Sequence, residues 1–314
     1  MSIEFTHVPA FTQQRHENLD NSGARQTLAL LEHAGFGRIV IDSPAGLLAT
    51  MDVAAEAARR TSSLGLVLTH WAGVIAPVIA ARQLAELDRL SEGRLSLRML
   101  AGFDGAADDE PGSSKDHFVA LQQMDEYLTL LKRLWSNDRP FDHEGRFYSV
   151  RNGYVARKGP QGGGIQIRMG GVSGTALKIA GRHADIFEVA AGTPEDIIDL
   201  VYRLRVAATQ YGRASKIRFA LPVRIDATEQ ETSARDAVAE PDGAHSGVRV
   251  SGSPEQIAES LLTYVTLGIN EFMISGLDDD VSIAGFLHQL APISQGRRIA
   301  GKALGGIAPS AFRL

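Results

Sequence analysis

From Ile39 onward, short apolar runs of β type alternate with longer segments of helical period. That alternation is the pattern of βα units around a mostly parallel sheet. The candidate strands are Ile3–His7, Arg38–Ile41, Gly65–Thr69, Leu95–Ala101, Ile165–Met169, Ile186–Val189, Arg218–Ile225 and Glu271–Ser275. Helical segments lie at Gly23–Ala34, Met51–Arg60, Val78–Leu90, Phe118–Trp135, Gly174–Gly181, Pro194–Tyr211, Thr232–Ala237, Pro254–Leu267 and Val281–Leu290. Eight strands with a helix after nearly every one predict an α/β fold, a single closed (β/α)8 TIM-like barrel, rather than an open sheet. The length of 314 residues suits either two domains or one barrel with additions. The alternation favours one barrel domain over residues 1–314.

Two segments interrupt the repeat. Asn137–Tyr154 carries turn and aromatic residues with a Glu144-Gly145 turn and reads as an inserted β-hairpin. Glu229–Gly252 is polar, holds Pro241 and several glycines, and reads as a mobile loop at the C-terminal end of the seventh strand. The Gly-, Ala- and Arg-rich tail beyond Gln295 is expected to fray or to pack on a partner. Helix-end chemistry supports several boundaries: Ser253-Pro254-Glu255-Gln256 and Thr193-Pro194-Glu195-Asp196 have the form of N-terminal caps, and Gly93 and Gly268 suit left-handed C-terminal turns.

Charge and composition remove whole classes of function. With 32 basic and 37 acidic side chains the net charge is −5, so no basic surface is on offer to nucleic acid. The absence of cysteine excludes disulfides, thiolate zinc, iron–sulfur clusters and a thiol nucleophile. Met1–Phe11 has no basic region leading into an apolar stretch, and no run approaches the roughly 18 apolar residues that span a bilayer. A cytoplasmic protein, complete without cleavage, is the expectation.

The densest local signal is Gly162–Gly174, a short strand ending in Gly170-Gly171-Val172-Ser173 and running into a helix. Such a turn exposes backbone N–H groups at the positive end of a helix, and Ser173 adds a hydroxyl, which is a design for phosphate. It is equally compatible with a tight βα turn in which glycine only permits the path. The nine histidines come singly, without metal-ligand spacing. His70 directly follows an apolar strand and is expected to face the barrel mouth as a proton-transfer group. His117 opens a helix, where capping and ligand contact are both open. Arg98 and Arg224 are charges within apolar strands, and a charge pointing into a barrel needs an anionic ligand or an internal partner such as Asp104 or Asp226. The acidic stretch Asp104–Glu110 lacks calcium-loop spacing and reads as a solvated loop.

The run Ala76-Pro77-Val78-Ile79-Ala80-Ala81-Arg82-Gln83, followed by Leu87-Asp88-Arg89-Leu90-Ser91-Glu92-Gly93-Arg94, resembles the bacterial luciferase-like flavin-dependent monooxygenases, most closely their alkanesulfonate monooxygenase branch. Asp116-His117, the Phe141–Phe147 hairpin, Gly170-Gly171-Val172-Ser173, Ala184-Asp185 and Leu267-Gly268-Ile269 through Ser275-Gly276 follow in the family's order. The resemblance implies a barrel that binds FMN, usually reduced and delivered by a separate flavin reductase, in a homodimer. It implies that O2 is added to the reduced flavin and a substrate is oxygenated. It places Gly170, Gly171 and Ser173, with His117, around the cofactor, and Thr69 against the isoalloxazine ring. Departures are equally specific. Arg98 stands where the family has Asn at the flavin edge, and Ala120-Leu121 where it has an Arg-Tyr pair with the Tyr on phosphate. The sulfonate-oxygenating positions are replaced at Leu47, Pro222, Arg224 and Leu277. The expected activity is therefore FMN-dependent oxygenation of a small organic substrate other than an alkanesulfonate, with Arg224 binding substrate or peroxide anion and Arg98 beside the flavin. The rival readings are a deazaflavin (F420)-dependent hydride-transfer enzyme, a flavin-binding protein without turnover, and a barrel enzyme taking a phosphorylated substrate at the glycine turn.

Overall fold

The computed structural model describes residues 3–9, 22–42, 47–102, 114–225, 247–277 and 281–285. Their strands are β1 (Glu4–His7), β2 (Arg38–Ile41), β3 (Gly65–Trp71), β4 (Leu95–Leu100), β5 (Phe141–Glu144), β6 (Ser149–Gly153), β7 (Gln166–Gly170), β8 (Ile186–Glu188), β9 (Arg218–Ile225), β10 (Val248–Val250) and β11 (Glu271–Ser275). The helices are α1 (Ser22–His33), α2 (Leu47–Arg60), α3 (Pro77–Leu90), α4 (Ser114–Ser136), α5 (Gly174–His183), α6 (Pro194–Thr209) and α7 (Pro254–Thr266). Eight strands pair in parallel around a closed ring, β1-β2-β3-β4-β7-β8-β9-β11 and back to β1. The chain is a (β/α)8 barrel of the predicted kind.

Register divides the core in two. Val8, Val40, Val67, Ile186, Ala220 and Met273 point inward and form a small cluster inside the barrel. The residues of opposite parity, such as Leu66, Leu68, Leu97, Ile167, Phe187 and Phe219, pack outward against the helices in one continuous layer. Helix α4 is the longest, and its buried stripe includes Tyr127, Leu128, Leu131, Leu134 and Trp135 at helical spacing. Trp135 is anchored by donating from Nε1 to the Ala81 carbonyl of α3 at 2.9 Å.

The caps form as their sequences predict. Thr193 accepts from the Asp196 amide while the Asp196 carboxylate accepts from the Thr193 amide, and Ser253 and Gln256 make the same reciprocal pair. Gly93 and Gly268 take φ of 81° and 96°. The inserted hairpin is β5 and β6, held to α4 by Glu126, whose carboxylate accepts from the amides of Arg146, Phe147 and Tyr148. One expectation changes. The segment read as a loop through Gly252 contains β10, which extends the sheet by pairing in parallel with the second half of β9. The described residues 281–285 are helical as expected, whereas the rest of the helix assigned to Val281–Leu290, the whole of Thr232–Ala237 and the tail beyond Gln295 lie outside the described residues.

The most specific run of the sequence, Leu87–Arg94, is a clasp at the N-terminal face of the barrel. Asp88 is fully buried and accepts from the backbone amide and the side-chain amide of Gln161, pinning the segment that leads into β7. Arg94 reaches back to α2, donating to the carbonyls of Ala58, Thr61 and Leu64 and to the Thr61 hydroxyl over 2.7–3.0 Å. Its fork fills the orphan carbonyls at a helix C-terminus, a task the single ammonium of lysine cannot match. An Arg94→Lys variant is expected to lose about 2 kcal/mol of unfolding free energy, read by urea denaturation, with ligand binding at the opposite face unchanged.

Candidate functional site at the C-terminal mouth of the barrel

Inside the ring, below the mouth, runs a chain of alternating charges. Arg98 on β4 donates from Nε to Glu188 on β8 at 2.7 Å, and Glu188 also takes Arg168 of β7 at 3.1 Å. Arg168 continues to Glu271 of β11 at 2.8 Å, which lies 3.5 Å from Arg38 of β2. Arg38 contacts Glu4 of β1, and Glu4 contacts Arg218 of β9 at 3.2 Å. Thr6 adds a hydroxyl donor to Glu271. Burial alone would push the Glu188 carboxyl up, but Arg98 and Arg168 together hold it below the usual carboxylate range. Burial likewise works against the charge on Arg168, and Glu271 and Glu188 more than restore it. The pairs are therefore ionised on both sides, and Glu188→Gln, which leaves two arginines short of a counter-charge, is expected to cost about 3–5 kcal/mol in a denaturant titration.

Above this chain lies the mouth. Thr69 on β3 points inward beside Arg98, its register partner on β4. Its side chain is 2% exposed and Oγ1 has no hydrogen-bond partner. Arg224, also of inward parity, is exposed at the C-terminal end of β9 opposite Ser275. The turn after β7 completes the rim. A side chain at Gly170 would come within 3.1 Å of the Glu188 carbonyl, and one at Gly171, where φ is +127°, within 2.8 Å of the Ala176 methyl. Ser173 is the N-cap of α5: Oγ accepts from the Ala176 amide at 3.2 Å, which leaves its own proton free to donate outward. Gly174 and Thr175 stand in the first turn, where amides lack intrahelical acceptors. Arg203 of α6 ties the turn down from outside by donating to the Val172 carbonyl at 2.9 Å.

His70 is not in the mouth, contrary to the sequence expectation. The strand continues to Trp71, and parity places Val67 and Thr69 inside and His70 outside, in the helix layer. There its Nε2 meets the Tyr127 hydroxyl at 2.8 Å and Nδ1 has no partner. Burial lowers its pKa from 6.5 to about 4, so the ring is neutral at physiological pH. The proton-transfer role expected of His70 is withdrawn on this geometry. Because the folded-state value lies below the unfolded one, the unfolded chain binds the extra proton first, and stability is lost as pH falls from 6.5 toward 4. About 3 kcal/mol is at stake over that interval; a His70→Gln variant should flatten this part of the stability-versus-pH curve.

Among the described residues Arg98 pairs with Glu188; Asp104 and Asp226, the partners expected from the sequence, lie outside them. His117 is exposed in the first turn of α4. Glu188, Arg168 and Glu271 were the site residues missed by sequence reasoning. The signal that picked out Arg98, a charge within an apolar strand, was present at Arg168 in Ile167-Arg168-Met169 and at Glu188 in Phe187-Glu188-Val189. Separately, a cavity of about 970 Å³ lies outside the barrel between α4, the hairpin and α5; it begins at Gly174 and Thr175 and is lined further along by Arg146, Lys178 and Arg182. Among the described residues no group of three or more His, Asp or Glu is placed to hold a metal ion, and no helix is long and apolar enough to cross a membrane.

A closed barrel with its polar mouth at the C-terminal strand ends, a helix N-terminus on the rim and a charged floor belongs to the class of barrel enzymes that work at that face. The sequence matches the luciferase-like monooxygenase family over residues 4–241, about three quarters of the chain. The chain belongs to that family and is an enzyme of the oxidoreductase class. Similar solved structures include a long-chain alkane monooxygenase, with TM-score 0.75, 15% identity and coverage of 96% of this chain and 94% of the other. The EDTA monooxygenase from Chelativorans sp. BNC1 has TM-score 0.74 at 16% identity, covering 95% and 94%. An F420-dependent secondary alcohol dehydrogenase in complex with an F420-acetone adduct has TM-score 0.73 at 17% identity, covering 93% and 99%.

Proposed function

We propose that this chain is a two-component monooxygenase that takes reduced FMN from a separate reductase and oxygenates a small organic substrate in the barrel mouth. The observation that carries this reading is the turn Gly170–Ser173, where neighbouring atoms crowd out a side chain at Gly170 and Gly171 and the following helix end offers amides and a hydroxyl to a phosphate. The hydroxyl of Thr69, buried on the inward face of β3 and without a partner among the described residues, fits a polar ring edge in the same space. Reduced flavin bound there supplies the electrons that activate O2. The protein's own part is positional. Ser173 and the amides of Gly174 and Thr175 hold the phosphate, Thr69 and Arg98 line the floor beneath the ring, and the inward valines Val8, Val40 and Val67 keep water from below. Arg224 presents a guanidinium at the rim, which suits it to bind an anionic group and not to act as a base.

The F420-dependent neighbour represents a second reading, and one feature favours it. The outer cavity that starts at the first turn of α5 and continues past Lys178, Arg146 and Arg182 suits a cofactor with an anionic chain beyond its phosphate. A homodimer is proposed for either case, and Ile79 and Val74, 51% and 42% exposed on and just before α3, are apolar residues available to such a face.

Anaerobic titration with reduced FMN, oxidised FMN, riboflavin and reduced F420 tests both readings. FMN is expected to bind at least tenfold more tightly than riboflavin, since a charge-assisted set of phosphate contacts is worth about 1.5–3 kcal/mol. Gly171→Ala, strained at φ +127° and pressed on Ala176, should remove that difference. Admission of air to the reduced-FMN complex should then consume oxygen. Preference for F420 without oxygen uptake would select the hydride-transfer reading, and equal affinity for FMN and riboflavin would overturn the phosphate assignment.

A further inference from the structure

We propose that Thr69 and Arg98 form a receptor for an anionic edge of whatever molecule occupies the barrel mouth. The inference deepens the reading above by stating the charge of the group bound at the floor, and it shares with that reading only the location of the site.

Three observations converge. The Thr69 hydroxyl is sealed from solvent and has no hydrogen-bond partner among the described residues, an unfavourable arrangement that an acceptor relieves. Arg98 spends only Nε on Glu188, and among the described residues its two terminal nitrogens have no partner. They are not buried away, for the side chain keeps 10% of its surface accessible. Thr69 and Arg98 are register partners on adjacent strands, so both project from the same height of the inner wall.

Charge counting sets the sign. The interior chain holds four arginines, Arg38, Arg98, Arg168 and Arg218, against three glutamates, Glu4, Glu188 and Glu271. Each glutamate is already shared between two arginines, so among the described residues no carboxylate remains for the outer edge of Arg98. A guanidinium edge and a hydroxyl, all donors, in a low-dielectric pocket select an acceptor with negative charge. A carboxylate or phenolate meets that description, and so does the N–C=O edge of a reduced flavin or deazaflavin ring in its anionic form. The shared chemistry is a planar anionic acceptor, and its source is either the cofactor ring or an acidic substrate.

Thr69→Val keeps the shape, removes the hydroxyl and leaves the charge chain intact; Arg98→Lys keeps the charge and the link to Glu188 and removes the second edge. The probes are benzoate, followed through the fluorescence of Trp71 at the upper end of β3, and oxidised and reduced FMN titrated anaerobically. Ligand-free Thr69→Val should melt no lower than the parent, because an unpartnered hydroxyl contributes no bond there. Both variants should weaken an anionic probe at least tenfold. Loss for reduced but not oxidised FMN assigns the edge to the cofactor ring; loss for benzoate bound to the FMN-loaded protein, with both FMN forms unaffected, assigns it to the substrate. Benzoate binding that depends on both residues in a protein that binds no flavin would sink the flavin reading and support this one. A lowered melting temperature for ligand-free Thr69→Val, unchanged affinities in both variants, or no binding of benzoate or reduced FMN by the parent would overturn the receptor.

Discussion

The interior of this barrel is held by shared charge. Barrels of this type are commonly filled by branched apolar side chains, and here the apolar filling is one thin cluster around Val40, Val67 and Met273. The rest is a relay from Arg98 to Arg218 that draws one residue from each barrel strand except β3. Taking an ion out of water costs several kcal/mol, and a pair repays that only when geometry is good and further bonds satisfy each group. Sharing each carboxylate between two guanidinium groups meets the condition in the sealed upper half. At the lower end the cost is smaller, since Arg38, Glu4 and Arg218 keep 18%, 32% and 36% of their side-chain surface accessible. The one strand outside the relay, β3, supplies Thr69 to the mouth instead.

That relay separates two jobs that the sequence presents as one string of motifs. The run from Leu87 to Arg94 looks functional because it is so particular, yet its charged side chains close the end of the barrel opposite the mouth. It identifies the fold and says nothing of the substrate. Of the residues that face the mouth, Arg98 and Arg224 stand between apolar neighbours, and Thr69 follows the apolar run Leu66–Leu68. Likeness in the clasp with departure at the mouth is what a shared scaffold with a changed reaction face produces.

The elements were legible where period and punctuation agreed. All eight barrel strands, the hairpin and both capping boxes follow from runs whose burial pattern is local. The three-residue β10 was not, because Val248-Arg249-Val250 follows a polar stretch and its pairing with Val223–Ile225 is a long-range event. His70 shows how little separates the two faces of a strand. Reading β3 as ending at Thr69 left the next residue free to turn into the mouth, but the strand runs on to Trp71 and strict alternation sends His70 outward. Glu188 was hidden for another reason. Its partners Arg98 and Arg168 lie 90 and 20 residues away, and only the closed ring brings β4, β7 and β8 together.

Under the proposed function, Ala120-Leu121 in place of the Arg-Tyr pair that the resemblance implies removes a phosphate contact, and the turn after β7 can offset the loss. Leu121 is buried in the layer between α4 and the barrel, so it gives the phosphate nothing. A lost hydrogen bond to a charged group is worth about 1.5–3 kcal/mol, or roughly ten- to a hundredfold in affinity. Against that stand the first-turn amides of α5, the Ser173 hydroxyl, and the positive charge of Arg203 held against the same turn. A helix N-terminus contributes up to about 2 kcal/mol toward an anion in a partly buried setting, the same size as the loss. On the proposed reading, that balance leaves a phosphate site weakened but not abolished, in which the floor at Arg98 and Thr69 would carry a larger share of the binding than beside an intact phosphate clamp.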